Sequence, residues 1–398
     1  MKKISMVIIG GGAAGIVAAI TAARAADTVL ICEKMPQLGK KILASGNGRC
    51  NLLNDDLSES RYKKSARELV RSVFSKFDKR DILGLFTELG LTTYSNNGRI
   101  FPVTNQAASV LKVLTMELER LSVPVELGFE VTRIAASKSG FMVRSRKGTT
   151  IECEKVIIAG GGRSYPALGS DGSSYLLAKQ FGHTIVEPVP SAVPFLAKDR
   201  LCHILQGQKI FADVTGVIDG KRSGKVSGEL LFTKYGLSGT SILDVSEEIS
   251  VAINREHNKD VSLIVDMAPF LKEEELAEEL KNRIQKKIGA EDLFAGILPN
   301  KFGPALKDMA DTRDVGVIVK GLKERHFSIT GTRGWNEAEF TSGGIAVDEV
   351  KENTLESKLQ KGLYFAGEAL DVGGKRGGYH LAWAWASGYV AGLPVEHR

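Results

Sequence analysis

A glycine-rich turn between an apolar run and an alanine-rich stretch constrains the fold of this chain more than any other feature. Residues 4–9 read ISMVII, which is typical of a strand buried on both faces of a parallel sheet. Residues 10–15 read GGGAAG, and the alanine-rich run 13–26 predicts a helix. Residues 28–33, TVLICE, predict a second buried strand. The segment therefore predicts a βαβ unit with parallel strands.

This arrangement is typical of a dinucleotide-binding unit. Gly10 permits the tight turn, Gly12 lets a pyrophosphate approach the backbone, and Gly15 allows close helix packing. Glu33 follows Gly15 by 18 residues and ends the second strand. A carboxylate there accepts hydrogen bonds from a ribose hydroxyl and repels a 2′-phosphate. The pattern does not decide between NAD and FAD as the bound dinucleotide. The alternative interpretation of the segment is an ordinary glycine-rich turn.

Residues 39–51, GKKILASGNGRCN, form a basic and glycine-rich segment directly after the second strand. Backbone donors, two lysines and an arginine suit a diphosphate and a polar ribityl chain. The alternative is a solvated basic loop. Cys50 in this segment is a candidate redox thiol, but a lone cysteine is more often an inert packing residue, and we favour that interpretation.

Two later segments repeat the strand-to-glycine pattern. Residues 154–162 read EKVIIAGGG, and Gly367-Glu368 precedes a run, 373–380, that reads GGKRGGYH. Glu368 is a candidate ligand of a ribityl hydroxyl. A helix that begins near Tyr379 places its positive end where a reduced flavin carries negative charge. His380 is either a structural histidine or an acid or base, and the sequence leaves both open.

The remaining pattern predicts helices at 61–90, 107–121, 272–288 and 380–391, and strands at 125–135, 140–146, 149–159, 209–218, 226–233 and 362–368. Basic residues within 61–90 are most simply a solvated helix face.

Composition excludes several classes of protein. The 398 residues include 53 Lys or Arg and 47 Asp or Glu, and this small excess favours anionic ligands only weakly, so nucleic acid is not an expected partner. The four cysteines show no metal-ligand or CxxC spacing. Glycines interrupt the N-terminal apolar run, which favours a strand over a signal peptide, and no run approaches the ~20 apolar residues of a membrane span. We expect a cytoplasmic protein that binds neither metal nor membrane. The sequence does not indicate its oligomeric state.

Together these motifs resemble a family of two-domain FAD proteins with a glutathione-reductase-like flavin domain, similar to aminoacetone-oxidase-like proteins and to NAD(P)/FAD-dependent reductases of the bile-acid-dehydroxylation type. The resemblance covers essentially the whole chain. Its carriers are GGGAAG at 10–15, GKKILASGNGRCN at 39–51, GRIFP at 98–102, GGGRSYPALGSDG at 160–172, FTKYGLSG at 232–239, TGTRGWNEAEFTSGGIAVDEV at 330–350 and GLYFAGEALDVGGKRGGYHLAWAWASGYVAG at 362–392.

The resemblance implies an α/β fold. Residues 1–189 and 340–398 would form a discontinuous FAD-binding Rossmann domain. Residues 190–339 would form an inserted substrate or cap domain, β-barrel-like with a helical part at about 265–325. This chain departs from the family at His380, where asparagine is usual, and at 371–374, where Asp-Val-Gly-Gly replaces Asp-Val-Asp-Gly. Both departures fall at the flavin end of the site and leave the reaction open.

The motifs and the resemblance together predict three catalytic candidates, His380, Tyr379 and Arg49, and no metal ligand. The predicted cofactor-binding residues are Gly10, Gly12, Ala13, Ala14, Gly15, Glu33, Lys34, Gly39, Lys40, Lys41, Ser45, Gly46, Asn47, Gly48, Arg49, Asn51, Val131, Ala159, Gly160, Gly161, Gly367, Glu368, Asp371, Gly377, Gly378, Tyr379, His380 and Leu381.

The predicted function is that of an FAD-dependent oxidoreductase acting on a small organic substrate. We expect noncovalent FAD, NAD(P)H as a transient electron donor, and reduction of an activated C=C bond in an enone or steroid-like compound. An oxygen-dependent amine or aminoketone oxidase is the enzymatic alternative. A flavin-binding, RNA-associated protein that uses the basic segment 61–80 is the non-enzymatic one.

Overall fold

The computed structural model describes residues 4–394. The chain divides into two compact units, the first comprising Met1–Pro188 and Phe340–Arg398 and the second Val189–Glu339. The first unit thus consists of two stretches of sequence, between which the second is inserted.

The first unit opens with ten strands and six helices. The strands are β1 Ile4–Ile9, β2 Val29–Glu33, β3 Leu53–Asn54, β4 Thr93–Asn96, β5 Arg99–Pro102, β6 Val125–Leu127, β7 Val131–Ser137, β8 Gly140–Ser145, β9 Thr150–Ile158 and β10 Ile185–Ser191, the last of which runs into the second unit. The helices are α1 Ala13–Arg24, α2 Lys40–Ala44, α3 Arg67–Phe74, α4 Lys79–Glu88, α5 Ala107–Arg120 and α6 Ser173–Lys179.

The main sheet of this unit has the order β6-β2-β1-β9-β8-β7. Its strands β6, β2, β1 and β9 are parallel neighbours, whereas β7, β8 and β9 form an antiparallel meander. Strand β1 is therefore central, which explains why its last four residues are all buried. All five residues of β2 are buried too, as the apolar run predicted.

The segment 61–90 is not one helix but two. Helix α3 ends at Phe74 and α4 begins at Lys79. Asp78 makes the break, because its side chain accepts hydrogen bonds from the N–H groups of Arg80 and Asp81 while Asp81 reaches back to the Asp78 N–H. Such a capping box starts a new helix.

The second unit contains an eight-stranded sheet and six helices. Its elements are β11 Phe195–Leu196, α7 Arg200–Ile204, β12 Lys209–Ile218, β13 Lys221–Arg222, β14 Val226–Thr233, β15 Gly236–Ser238, α8 Thr240–Asn254, β16 Val261–Asp266, α9 Glu273–Gln285, α10 Phe302–Ala305, α11 Lys307–Asp311, α12 Val315–Lys323, β17 Arg325–Ser328 and β18 Gly331–Thr332.

Every pairing in this sheet is antiparallel, in the order β17-β16-β12-β14-β15-β11-β18 with β13 on β12. A separate core, which includes the fully buried aromatics Phe232, Phe302 and Phe327, fills this unit. The helices α9 to α12 lie within the range predicted as helical. The sequence missed α8 and the short strands.

The chain completes the first unit with β19 Phe340–Ile345, β20 Leu363–Phe365 and α13 Tyr379–Gly392. Strand β20 joins the main sheet parallel to β9. Helix α13 packs on α1, because a Cβ atom at Gly388 would lie 2.3 Å from the Ala14 carbonyl oxygen. Within residues 4–394, no helix is both long enough and apolar enough to span a membrane.

Candidate active site

The turn after β1 contains glycines for two different reasons. Gly10 has φ 107°, and a Cβ there would lie 2.7 Å from the Ala159 carbonyl oxygen at the end of β9. A Cβ at Gly15 would lie 1.9 Å from the Gly10 carbonyl oxygen. Gly12 is different, because it has φ −85° and no atom within 4 Å of a Cβ. The protein itself therefore requires glycine at 10 and 15, but leaves open space at 12.

Glu33 is bound to this turn and is 8% exposed. Its Oε2 accepts a hydrogen bond from the Gly11 N–H at 2.6 Å, and its Oε1 accepts one from the Met35 N–H at 2.7 Å. Each carboxylate oxygen has a second lone pair. The carboxylate can therefore orient the turn and still accept a ribose hydroxyl.

The segment after β2 folds into a loop of left-handed positions. Gly46, Asn47, Gly48 and Cys50 have φ values of 56°, 54°, 80° and 59°. Arg49 in this loop is exposed, and its guanidinium carbon lies 4.9 Å from the ring centroid of Phe101 on β5. The GRIFP motif thus holds the Arg49 side chain by a cation–π contact.

Cys50 is fully buried in the same loop. Burial raises the pKa of its thiol to about 12. Since the thiolate is the reactive form, a buried and protonated thiol is an inert packing residue, as favoured from the sequence.

Lys41 joins three segments that are distant in the chain. Its Nζ lies 2.8 Å from Glu368 Oε2 and 3.0 Å from Ser164 Oγ. The Thr341 N–H donates to Glu368 Oε1 at 2.9 Å. Burial raises the pKa of Glu368, but the charge of Lys41 and the hydrogen bonds from Lys41 and Thr341 outweigh it and hold the pKa below its ordinary value. Glu368 is therefore a charged carboxylate.

Asp371 has a similar environment beside this cluster. Its Oδ2 lies 2.6 Å from Lys63 Nζ, and its Oδ1 accepts a hydrogen bond from the Gly343 N–H at 3.1 Å. Asp371 is 5% exposed. Two carboxylates, the half-buried Glu368 and the buried Asp371, thus lie on the segment that precedes α13, each with a lysine partner and a backbone donor.

The N-terminus of α13 is built on two glycines with positive φ, 125° at Gly377 and 104° at Gly378. Tyr379 is buried and packs edge-on against Tyr62, whose hydroxyl donates to the Tyr379 carbonyl oxygen. Burial raises the pKa of the Tyr379 phenol above its ordinary value. Its phenol therefore keeps its proton at neutral pH.

His380 is held on two sides. Its ring stacks on Phe340 with centroids 3.5 Å apart, and its Nε2 lies 2.7 Å from the Gly374 carbonyl oxygen. Because a carbonyl oxygen only accepts, Nε2 carries a proton directed at Gly374. The ring orientation is thereby fixed.

Other predicted cofactor residues lie around these clusters. Lys34 pairs with Asp171 at 2.6 Å, and Lys40 Nζ reaches the Ala167 carbonyl oxygen at 3.4 Å, so both lysines contact the 166–173 segment. Val131 is the first residue of β7, and Leu381 lies in the first turn of α13. Gly39 donates its N–H to the Gly11 carbonyl oxygen, which brings the basic loop to the first turn.

Several residues that organise this site are not among those predicted from the sequence. Thr341 is the clearest, because its hydroxyl accepts hydrogen bonds from the N–H groups of Arg163 and Ser164 while its own N–H donates to Glu368. Lys63 and Phe340 are two more. Thr341 and Phe340 lie in the 330–350 motif, so that motif was the available signal, whereas Lys63 lies in no motif.

The arrangement fits a flavin dinucleotide. Gly12 leaves space at the N-terminus of a 12-residue helix, where backbone N–H groups and the helix dipole attract phosphate. Asn51 Oδ1 is buried and has no hydrogen-bond partner among the described residues, although such atoms are nearly always satisfied in a complete site. Both observations are explained by a bound polar group.

The sequence profile of the family described as HI0933-like protein Rossmann domain matches residues 4–394. The 3-dehydro-bile acid delta(4,6)-reductase of Clostridium scindens is 36% identical over 98% of this chain and 98% of the relative. The ribosomal RNA dihydrouridine synthase of Escherichia coli is 31% identical over 98% of this chain and 97% of the relative.

A solved structure supports the fold. The 3-ketosteroid delta1-dehydrogenase from Sterolibacterium denitrificans matches with a TM-score of 0.52 and 12% identity, over 98% of this chain and 99% of the other. At this identity the likeness shows the fold alone.

Proposed function

The chain belongs to the HI0933-like protein Rossmann domain family and is an FAD-dependent oxidoreductase, and from this premise we propose that it reduces a carbon–carbon double bond conjugated to a carbonyl group in a cyclic substrate. The family resemblance, the fold class and the FAD cofactor predicted from the sequence are confirmed. The substrate, the reductase direction and the NAD(P)H donor are proposals.

The observation that carries the proposal is the chemistry shared by the two relatives. One is named a bile acid delta(4,6)-reductase and the other a dihydrouridine synthase. Both a 3-oxo steroid with Δ4 and Δ6 bonds and the uracil ring contain a C=C bond conjugated to a carbonyl. Saturating that bond adds a hydride to one carbon and a proton to the other. Two unrelated substrates thus share one reaction class.

Bound FAD supplies a two-electron carrier for such a reduction. The residues of the chain hold the cofactor and provide the proton. Glu33 and the turn at Gly12 would bind its adenosine half, and the Lys41–Glu368 and Lys63–Asp371 pairs provide donors and acceptors for its ribityl chain. Tyr379 is the acid we propose, because it is the first residue of α13, at the predicted flavin end of the site, and its phenol carries a proton at neutral pH.

His380 and Arg49 have different proposed roles. Since His380 Nε2 is directed at the Gly374 carbonyl oxygen, that nitrogen is committed to orienting the loop before α13. Arg49 is an exposed cation held over Phe101, which suits an anionic or carbonyl group of the substrate. We therefore propose that His380 positions the site and that Arg49 binds substrate.

The test is an anaerobic two-step reaction. The protein is first mixed with NADH or NADPH, and bleaching of the flavin absorbance is followed. The reduced protein is then mixed with a 3-oxo-4,6-diene steroid. We expect rapid bleaching followed by recovery of the absorbance with loss of the diene. Bleaching by an amine, with oxygen consumed on reoxidation, would replace the reductase by the oxidase.

Variants locate the acid. Tyr379→Phe is expected to slow the second step more than the first, because only the second step consumes the phenol proton. Tyr94→Phe is the matched control, since the Tyr94 hydroxyl bonds Asn105 on the surface. Equal effects of the two variants would exclude Tyr379 as the acid.

A second candidate substrate is uridine in RNA. It is favoured by the dihydrouridine synthase relative and by the charge of one segment, since residues 34–81 contain 12 Lys or Arg and 6 Asp or Glu. Lys64, Arg71, Lys76 and Arg80 are exposed there. Oxidation of the reduced flavin by a uridine-rich RNA, with dihydrouridine formed, would select this candidate. Oxidation only by the steroid would exclude it.

A further inference from the structure

The second unit has a surface cavity of about 480 Å³ that the proposed reaction does not use. It lies beside β11, at the turn that joins β14 to β15. Two backbone hydrogen bonds shape it, one from the Ala197 N–H to the Tyr235 carbonyl oxygen and one from the Thr330 N–H to the Leu196 carbonyl oxygen. The sheet therefore anchors the cavity, and α7 contributes Arg200 and His203 to its lining.

Basic side chains line this cavity without partners. Lys198, Arg200, His203 and Lys234 all contribute to it, and among residues 4–394 none of the four side chains has an ion pair or hydrogen bond. The acid of the lining, Asp199, is already engaged. Its Oδ1 accepts from the N–H of the second residue of α7, and its Oδ2 lies 2.7 Å from an arginine of β17.

This positive charge is local. The residues 189–339 contain 21 Lys or Arg and 23 Asp or Glu, so the unit carries no general excess of positive charge. Another surface cavity of about 450 Å³ in the same unit is lined by Glu273, Glu274, Glu324 and Lys320. The two cavities therefore differ in the charge of their linings.

An aromatic ring completes the lining. Tyr235 is half-buried, and the guanidinium carbon of Arg333 lies 4.7 Å from its ring centroid. Arg333 is itself fixed by Glu337, with Nε at 3.2 Å from Oε1. A fixed arginine on a tyrosine gives a flat, positively charged surface on which a base can stack. Tyr235 belongs to the FTKYGLSG motif, which the proposed reaction does not use, and Arg333 lies at the start of the 330–350 motif, before the residues of that motif that contact Glu368 and His380.

We propose that this cavity is a nucleotide-phosphate site, separate from the dinucleotide turn at Gly12. The unpaired side chains of Lys198, Arg200 and Lys234 would bind phosphate groups, and Tyr235 would contact the attached base or sugar. The phosphate can come from an RNA strand or from the adenosine bisphosphate end of NADPH. The proposal goes beyond the proposed reaction and holds whichever cyclic substrate is reduced.

The experiment measures binding by the full, FAD-loaded chain. The probes are a fluorescent uridine 12-mer RNA and 2′,5′-ADP. The triple variant Lys198→Ala/Arg200→Ala/Lys234→Ala is compared with Lys221→Ala/Lys259→Ala/Lys281→Ala. The control removes the same charge from exposed lysines of the same unit that do not line the cavity. Because all six side chains are exposed, both variants are expected to fold and retain flavin.

For RNA, three lost phosphate contacts are expected to reduce the salt slope by about 2, so that the loss of affinity is roughly 16-fold larger at about 50 mM than at about 200 mM salt, with little change in the control. Loss for RNA alone identifies a strand as the source, and loss for 2′,5′-ADP alone identifies the dinucleotide. Equal loss in the two triple variants would mean general electrostatics and would overturn the site. If neither probe binds the unmodified protein, the proposed site is overturned as well.

Discussion

Gly12 is the N-cap of α1 and Gly15 lies in the first turn of that helix, yet their substitution should separate cofactor binding from folding. Gly12→Ala places a methyl group in open space at an ordinary φ of −85°, so the apoprotein should keep its thermal stability. FAD affinity should fall more than tenfold, since one contact to a charged group contributes roughly 1.5–3 kcal/mol. Gly15→Ala forces a Cβ to 1.9 Å from a carbonyl oxygen and should destabilise the apoprotein by about 1–3 kcal/mol.

Differential scanning calorimetry of both apoproteins and flavin titration check this pair. Similar losses of melting temperature in the two variants would contradict the separation.

Glu33 is expected to act on the cofactor through two routes. Glu33→Ala removes the acceptor proposed for the ribose and also leaves the Gly11 and Met35 N–H groups without their partner. We expect FAD to bind at least about tenfold more weakly, from a loss of roughly 1.5–3 kcal/mol. The exposed Glu126 on the neighbouring strand β6 is the control. Fluorescence titration gives the FAD dissociation constants of Glu33→Ala and of the control Glu126→Ala. Equal constants would show that the cofactor does not bind at Glu33.

His183 should make the stability of the first unit depend on pH. Its ring is buried between Glu349 and Ser357, at 2.9 Å from Nδ1 and 2.7 Å from Nε2. Burial lowers its pKa below 6.5, although Glu349 opposes the shift. Because the folded protein disfavours the charged ring, the neutral form contributes its full stability above about pH 6.5, and this contribution is lost as the pH falls through the folded pKa.

His183→Gln should therefore reduce the free energy of unfolding most above pH 6.5, with a smaller difference in acid. The exposed His326 is the position for the matched control substitution, His326→Gln. Denaturant unfolding at several pH values measures both, and a difference that grows towards low pH would contradict the buried neutral ring.

At the scale of elements, α1 and α13 contact through small residues. Cβ atoms at Gly388 and Gly392 would lie 2.3 and 2.5 Å from the Ala14 and Ala18 carbonyl oxygens. Gly388→Ala should push the helices apart and destabilise the protein by about 1–3 kcal/mol. Gly84→Ala in α4 meets no atom within 4 Å and should stabilise it by about 0.5–1 kcal/mol. Chemical denaturation distinguishes the two signs, and a stabilising Gly388→Ala would refute close packing.

The same helices show what the sequence could predict. The strand, turn and helix at 4–24 can be predicted because their sequence signals are local. The signal for the helix break at Asp78 is also local, but the basic residues around it hid it from the prediction. By contrast, the alanines of α1 predicted contact with a strand, and nothing in the sequence indicated α13 as a partner. The link from Lys41 to Glu368 spans 327 residues. Motifs marked both ends of it, but only the fold brings them together.

At the scale of the whole molecule, the two units differ in their capacity for dinucleotides. The first has parallel strands that flank a glycine turn. In the second, every pairing of the eight-stranded sheet is antiparallel within the described residues, so this sheet contains no βαβ unit. A nicotinamide cofactor therefore has no second dinucleotide fold to occupy in this sheet.

This asymmetry predicts how electron donor and substrate compete. If NAD(P)H is the donor, its nicotinamide ring must lie against the flavin ring of the bound FAD. The substrate later occupies the same place. The two should exclude each other, so steady-state kinetics should give parallel double-reciprocal lines, with each substrate inhibiting competitively against the other at high concentration. Intersecting lines together with a ternary complex in equilibrium binding would require a separate nicotinamide site, which the antiparallel sheet does not provide.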